Sequence, residues 1–521
     1  MPTAIKKNRL NLVYFFILVG FALLMVRMVI IVTVGDKNKV SSTYDPQIEK
    51  NRGNIYDRNG VLVATDIRSK SLYASSILVR DPKDIAKGLS KIFSDLSYKE
   101  VYSKISSKKS STRSWILIKR NLSPDQVDKV QDLQKAGLVF EDDLARVYPQ
   151  KSNLSHIVGF VDLDRKGLSG IEMQKNKSLN SGVDINLTID VRIQDTLRNE
   201  LRKGIEEYGA QAASGVIMNV RNGEILALTS LPDFDPNQQS LASSQQRFNR
   251  VTNGVYEMGS VFKIFTNAIA MEEGLVESSD VFDVTKPIEY GQFTIRDDHH
   301  VKDQLTLKEV FGYSSNIGTV QIAQRIGIEK QKLYLKKFGL IDKLKINFPG
   351  LARPISPRKW REINLYTIAY GHGIAVTPLH VATAASAMVN GGFLHDPKLV
   401  LDEEGSVSKP TKVISDATSV KIRRLMKFTV EKGTGRKANV LGYQVGGKTG
   451  TAEHAEDGGY NKKQTLVSFV AAFPINKPKY LVFITLDRPG HDFNTGGMIA
   501  APITGKIIEK IAPLLGVRPK L

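Results

Sequence analysis

Three short segments, far apart in this chain, carry side chains that make chemical sense only together. They are Ser260-Val261-Phe262-Lys263, Ser314-Ser315-Asn316 and Lys448-Thr449-Gly450-Thr451. A fold that uses them must bring a helix start, a turn and a strand edge to one point. Ser260 follows Tyr256-Glu257-Met258-Gly259 and precedes Val261 to Met271, an apolar stretch of helical length. That places it near a helix N-terminus. Residues three apart share a helix face, so Lys263 is expected to reach the Ser260 hydroxyl. A serine hydroxyl is a weak nucleophile and needs a base beside it. Lysine serves when burial or a nearby positive charge lowers its pKa, and Lys448 is the candidate for that charge. Asn316 offers an amide to hold Lys263 and a substrate carbonyl. Ser314 offers a hydroxyl to relay a proton to a leaving amine. Gly447, Gly450 and the small Thr449 and Thr451 suit a strand edge along which substrate backbone lies. Lys448 and the two threonine hydroxyls would then bind a terminal carboxylate. The backbone N–H groups of Ser260 and Thr451 are the expected oxyanion donors.

No single segment is decisive. Ser-x-x-Lys recurs at Ser106, Ser356 and Ser406, and Ser178-Leu179-Asn180 is a second Ser-x-Asn. Only Ser260 has the other two segments following in order. Asp297-Asp298-His299-His300 has metal-ligand residue types. No helical pair or distant partner motif accompanies it, so it reads as a polar loop and no metal is expected. His372, between Gly371 and Gly373, is the one histidine in a Gly-flanked setting. Nothing in the sequence ties it to Ser260, as a Ser-His-Asp triad would require.

The N-terminus bears on location. Lys6, Lys7 and Arg9 precede an apolar run from Leu10 to Val34. As a helix that run reaches about 37 Å, against a hydrocarbon core of about 30 Å. It reads as an uncleaved single-pass membrane anchor, with the N-terminus in the cytoplasm and the rest outside it. Arg27 inside the run reads either as snorkelling toward headgroups or as a helix contact. The net charge of +20 favours acidic partners, but outside the cytoplasm nucleic acid is not expected to be one. The absence of cysteine excludes disulfides, thiol catalysis and thiolate zinc sites.

The expected organisation is a tail over 1–9, the anchor over 10–34, an N-terminal domain over 35–183 and a catalytic domain over 184–521. Residues 36–50 read as a linker. Asn59-Gly60 predicts a hairpin turn. Residues 80–145 show amphipathic helical patterns and a Ser/Lys-rich run at 104–113, read as a solvated loop. Beyond them, 186–189 reads as a strand. Ile189, Ile193, Leu197, Leu201 and Ile205 mark a helix face. Arg221-Asn222-Gly223 predicts a second hairpin, and Leu466–Phe473 with Tyr480–Leu486 a third. An apolar helix from Ile499 to Leu515 closes the chain. Strands at both ends with helices between them predict an α/β (α+β) domain, one antiparallel sheet covered by helices on both faces.

With these segments in place, the chain resembles class B penicillin-binding proteins, most closely the septal peptidoglycan D,D-transpeptidase of cell division. The short catalytic motifs of that family, Ser-x-x-Lys, Ser-x-Asn and Lys-Thr-Gly, are met in order. Arg52-Gly53-Asn54-Ile55-Tyr56-Asp57-Arg58-Asn59-Gly60 is similar to the segment that opens the family's pedestal domain. Tyr370-Gly371-His372-Gly373 and Gly496-Gly497-Met498 are also similar to family segments. Met258 departs from the proline that many members carry, which removes no catalytic group. The resemblance implies an elongated pedestal at 35–183 and a transpeptidase domain at 184–521. It implies that Ser260 attacks the D-Ala-D-Ala carbonyl of a stem peptide and that β-lactams trap it. Ser260, Lys263, Ser314, Asn316 and Lys448 would be catalytic, and Thr449, Gly450 and Thr451 would bind substrate. No cofactor is implied, and the membrane implied is the bacterial inner membrane. The implied partners are lipid II-derived glycan strands, a polytopic membrane glycosyltransferase and other division proteins. Other readings are an elongation-specific transpeptidase, a membrane-anchored β-lactam receptor or hydrolase, and a non-catalytic scaffold.

Overall fold

Asn59-Gly60 turns the chain as that dipeptide predicts. Gly60 takes φ +81°, and β1 (Ile55–Tyr56) runs back antiparallel along β2 (Leu62–Ser75). β3 (Trp115–Leu122) and β4 (Leu138–Val147) both pair with β2. The helical patterns of 80–145 are real, at Pro82–Ile92, Tyr98–Ser106 and Pro124–Gln131. β3 and β4 were not legible among them. β3 carries Lys119-Arg120-Asn121 and β4 carries Glu141-Asp142-Asp143, and such polar runs mask the strand signal. β5 (Ile185–Asn186) pairs in parallel with β1, so the strand expected at 186–189 joins this first sheet.

The computed structural model describes residues 15–28 and 51–520, except 76, 107–114, 292, 347, 402–408, 457–458 and 491–494. It divides into two units, Met1–Lys50 and Asn51–Leu521. In the first, residues 15–28 are helical and their side chains are exposed. No described helix is long and apolar enough to cross a membrane. The remainder of the expected span, 10–14 and 29–34, lies outside the described residues, as do the 36–50 linker and most of the Ser/Lys-rich run.

In the second unit an ionic cluster lies beneath the hairpin. Glu172 accepts from Arg52 Nε and from Arg146 Nε, each at 2.7 Å. Asp66 accepts from Arg146 at 3.2 Å and Arg165 at 3.0 Å. The side chains of Arg52, Arg146, Asp66 and Glu172 are at most 1% exposed. Charges this deeply buried persist only when mutually paired. Asp57 then joins the hairpin to the next element. Its carboxylate accepts from the N–H groups of Asn59, Val61 and Val191. Val191 opens α1 (Val191–Tyr208).

The larger sheet runs β8-β9-β10-β6-β7, all antiparallel, from β6 (Ala212–Asn219), β7 (Ile225–Leu231), β8 (Gly446–Glu456), β9 (Gly459–Phe473) and β10 (Tyr480–Asp487). Alternation with period two gives it two apolar faces. Ile217, Phe469, Val482 and Ile484 pack in one core with residues of α1. Val216, Val470, Leu481 and Phe483 belong to the other core, which includes α2 (Lys263–Glu272), α3 (Asn316–Ile326), α4 (Pro378–Val389) and α5 (Asp416–Glu431). α6 (Ala500–Leu514) joins α1 on the first face. The antiparallel sheet with helices on both faces matches the expectation. β8, which carries Lys448 to Thr451, is an edge strand, so one of its sides is left to meet something other than sheet.

Candidate active site

What meets β8 is the nucleophile segment. Gly259–Phe262 form a single 3₁₀ turn that leads into α2. Gly259 takes φ +53°, and a Cβ there would stand 2.2 Å from Thr451 O. A Cβ on Gly450 would stand 2.8 Å from Met258 O and 2.3 Å from Ser468 Oγ. Both glycines are therefore demanded by the close approach of strand and turn. For Gly450 this packing, more than room for substrate, accounts for the missing side chain. Within a strand, a residue's N–H and C=O point to the same side. Since Thr451 O faces Gly259, the Thr451 N–H is directed to the side of the Ser260 turn, as an oxyanion donor must be.

A third backbone closes on the same turn. Gly259 N donates to Gly371 O at 3.2 Å, and a Cβ on Gly371 would lie 2.0 Å from Gly259 O. The Gly371-His372-Gly373 segment is thus tied to Ser260 by packing, which the sequence had not shown. His372 is largely buried. Burial, then the positive charge of Lys263, pushes its imidazole down to about 4, so it stays neutral near neutral pH.

The second segment is built around a turn and a helix start. Ser314 adopts φ +67°, a left-handed conformation uncommon for a residue with a side chain and concentrated at functional sites. Ser315 caps α3, accepting from Gly318 N at 2.9 Å. Asp297 completes the cap from outside. Its Oδ1 accepts from Asn316 N at 2.6 Å and Ile317 N at 2.9 Å, and its Oδ2 from Ser315 Oγ at 2.7 Å. A carboxylate is favoured at a helix N-terminus by the unpaired N–H groups there. Asp297 does lie in the polar loop expected, and from there it fixes the orientation of the second segment. No local signal announces it, because the contact spans 18 residues or more of chain that includes a strand and a helix.

The two lysines converge on Ser314. Lys263 Nζ donates to Ser314 O at 2.6 Å, Asn316 Oδ1 at 2.7 Å and Ser314 Oγ at 3.2 Å. Lys448 Nζ donates to Ser314 Oγ at 2.9 Å and Thr449 O at 3.1 Å. Both lysines are fully buried. The expected hydrogen bond from Lys263 to Ser260 is not formed, since these three acceptors engage the ammonium. Burial brings Lys263 down to about 8, against the opposing pull of the Asp297 and Asp298 carboxylates. Lys448 is not the cause, contrary to the expectation. It is itself pushed well down, by burial and then by the charge of Lys263.

Ser260, Ser314, Thr449 and Thr451 line one cavity of about 520 Å³. Thr434 and Thr449 share a hydroxyl hydrogen bond of 2.8 Å in its wall. Lys448 is buried at 0% exposure beneath that wall, while Arg436 and Lys437 line it. These two cations were missed by motif reading, which placed all carboxylate recognition on Lys448 and the threonines. A hydroxyl nucleophile, a lysine brought down to about 8, a shared hydroxyl relay and a strand-edge N–H are together the parts of an acyl-transfer site.

Comparison with known proteins bears on what is acylated. Residues 213–509 match the penicillin binding protein transpeptidase domain, and residues 47–186 match the penicillin-binding protein dimerisation domain. The chain is 37% identical over 496 residues to the probable peptidoglycan D,D-transpeptidase FtsI of Caulobacter vibrioides, covering 92% of this chain and 83% of that one. It is 33% identical to the stage V sporulation protein D of Bacillus subtilis, over 91% of this chain and 79% of the other. It is 30% identical to the probable peptidoglycan D,D-transpeptidase PenA of Neisseria gonorrhoeae, over 99% and 94%. Among solved structures, penicillin binding protein 3 of Mycobacterium tuberculosis complexed with aztreonam superposes with a TM-score of 0.72 at 24% identity, over 90% of this chain and 97% of that one.

Proposed function

Because this chain belongs to the penicillin-binding protein transpeptidase family, we propose that Ser260 is the acylated nucleophile of a peptidoglycan D,D-transpeptidase acting at the division septum. It is a serine-type enzyme that crosslinks stem peptides. The observation that carries the site assignment is the convergence of Lys263 and Lys448 on Ser314 Oγ, in the cavity that Ser260 lines.

The chemistry follows in balanced steps. Neutral Lys263 takes the Ser260 proton as Oγ attacks the carbonyl of the penultimate D-alanine. The N–H groups of Ser260 and Thr451 hold the oxyanion. The C–N bond breaks, and the proton passes from Lys263 through the Ser314 hydroxyl to the departing D-alanine amine. An amine from a neighbouring strand then attacks the ester. An amide bond forms, the Ser260 ester breaks, and the serine regains its proton. Asn316 holds Lys263 in place. Thr449 and Thr451, with Arg436 and Lys437 beside them, hold the donor's carboxylate. β-Lactams present the same acyl group and carboxylate, so they acylate Ser260.

The septal role rests on the relative named FtsI. The domain reading assigns a tail at 1–9, a membrane anchor at 10–34, a pedestal at 35–183 and the transpeptidase domain at 184–521. The Leu10 to Val34 run, with Lys6, Lys7 and Arg9 before it, supports an inner-membrane anchor with the catalytic part outside the cytoplasm. The partners are a polytopic lipid II polymerase and other division proteins. Depletion is expected to produce filaments. Round cells that still septate would assign the enzyme to elongation instead.

A further inference from the structure

The reaction needs a second substrate, an amine, which must reach the Ser260 ester through the same cavity. The groups assigned above serve the donor. Resting on the transpeptidase reading, we infer that the carboxylate of Asp298 anchors the ammonium group of the acyl acceptor.

The reasoning is by elimination among nearby acids, then by charge. Asp297 is occupied by three hydrogen bonds that cap α3. Asp303 faces His300 at 3.5 Å, and Glu309 pairs with Lys302 at 2.6 Å and accepts from Thr306. Asp298 lines the catalytic cavity, is exposed, and has no hydrogen-bond or ion-pair partner among the described residues. It is also close enough for its charge to act on Lys263, Lys448 and His372. The other charged groups in the cavity wall are the cations Arg296, Arg436 and Lys437 and the carboxylate of Asp297, whose oxygens are engaged in the α3 cap.

A carboxylate-bearing donor is repelled by Asp298 and drawn toward the cations. An ammonium-bearing acceptor is drawn the other way. The one carboxylate of this wall left without a hydrogen-bond partner among the described residues therefore sorts the two substrates by charge, so that each enters its own part of the site. The bound ammonium gives one proton to neutral Lys263. The free amine then attacks the ester, its second proton passes to the Ser260 oxygen as the ester bond breaks, and Lys263 releases the first proton to solvent to become neutral again. The ligand chemistry is a primary ammonium on a flexible side chain, as in lysine or diaminopimelate.

The test is made on the acyl-enzyme of the purified full-length protein, formed with a thioester donor. The fraction resolved by amine is measured against the fraction resolved by water, with lysine-containing and diaminopimelate-containing acceptor peptides in parallel. Because the ratio is taken after acylation, changes in acylation rate drop out of it. Asp298→Asn is expected to lower the amine-to-water ratio by about tenfold and raise the acceptor concentration needed for half-maximal transfer, with Asp298→Glu recovering most of both. The acceptor that loses more identifies the amine source. An amine-to-water ratio in Asp298→Asn equal to the wild type, or a Glu variant as defective as the Asn variant, would overturn the inference. A wild-type protein that never forms an acyl-enzyme would overturn the transpeptidase reading itself, and the inference with it.

Discussion

Lys263 and Lys448 donate to one oxygen, Ser314 Oγ, from 3.2 and 2.9 Å, and neither lysine is exposed to solvent. Two buried ammonium groups on one acceptor repel each other, so the pair favours losing a proton. That repulsion acts on Lys448, while burial lowers Lys263 to about 8 in the same place where it meets the hydroxyl that passes the proton on. Ser314 is the hub, and its left-handed backbone is the strained feature that puts it there.

Removing that hub isolates the two lysines. Ser314→Ala is expected to slow acylation by a labelled penicillin by about 10²-fold or more, the usual contribution of a positioned proton-transfer group. Stopped-flow fluorescence quenching reads the rate. Acylation within a few-fold of wild type would remove Ser314 from the relay.

The pH dependence follows from the direction of the Lys263 shift. Its neutral form is the base, and burial lowers it to about 8. Acylation should therefore rise with pH through about 8 instead of through the ordinary lysine range. The Asp297 carboxylate favours the charged form of Lys263 and so holds its pKa up. Asp297→Asn removes that pull and should move the rising limb to lower pH, besides slowing acylation by loosening the cap of α3. A slower enzyme whose limb has not moved would mean that Asp297 acts by position alone.

The buried ionic cluster of the N-terminal region predicts a stability effect far from the chemistry. Glu172 is fully buried between Arg52 and Arg146. Glu172→Gln leaves those guanidinium groups short of a counter-charge, a loss of roughly 3–5 kcal/mol for a buried pair. Urea unfolding of the purified protein checks it. A loss under about 1 kcal/mol, the range of exposed pairs, would show that water or Asp66 compensates.

The larger sheet was readable because its strands are apolar on both faces and its hairpins carry turn residues. Arg221-Asn222-Gly223 between β6 and β7 is one such case. The nucleophile, relay and lysines were readable because short-range spacing encodes them: Ser260 and Lys263 lie one turn apart, and Ser314 and Asn316 straddle a helix cap. The contacts made by Asp297 and Gly371 were not readable. Each acts through a contact distant in sequence, and each is an ordinary residue type in a loop. Arg436 and Lys437 were missed for a related reason. Motif spacing says which lysine is present but not that its ammonium lies buried under the cavity wall while Arg436 and Lys437 line it.

The most direct test of the central claim is peptide mass mapping after incubation with a labelled penicillin. The label should fall on Ser260 and on no other Ser-x-x-Lys serine, and Ser260→Ala should carry none. Label on the peptide of Ser106, Ser356 or Ser406, or undiminished labelling of Ser260→Ala, would contradict the account.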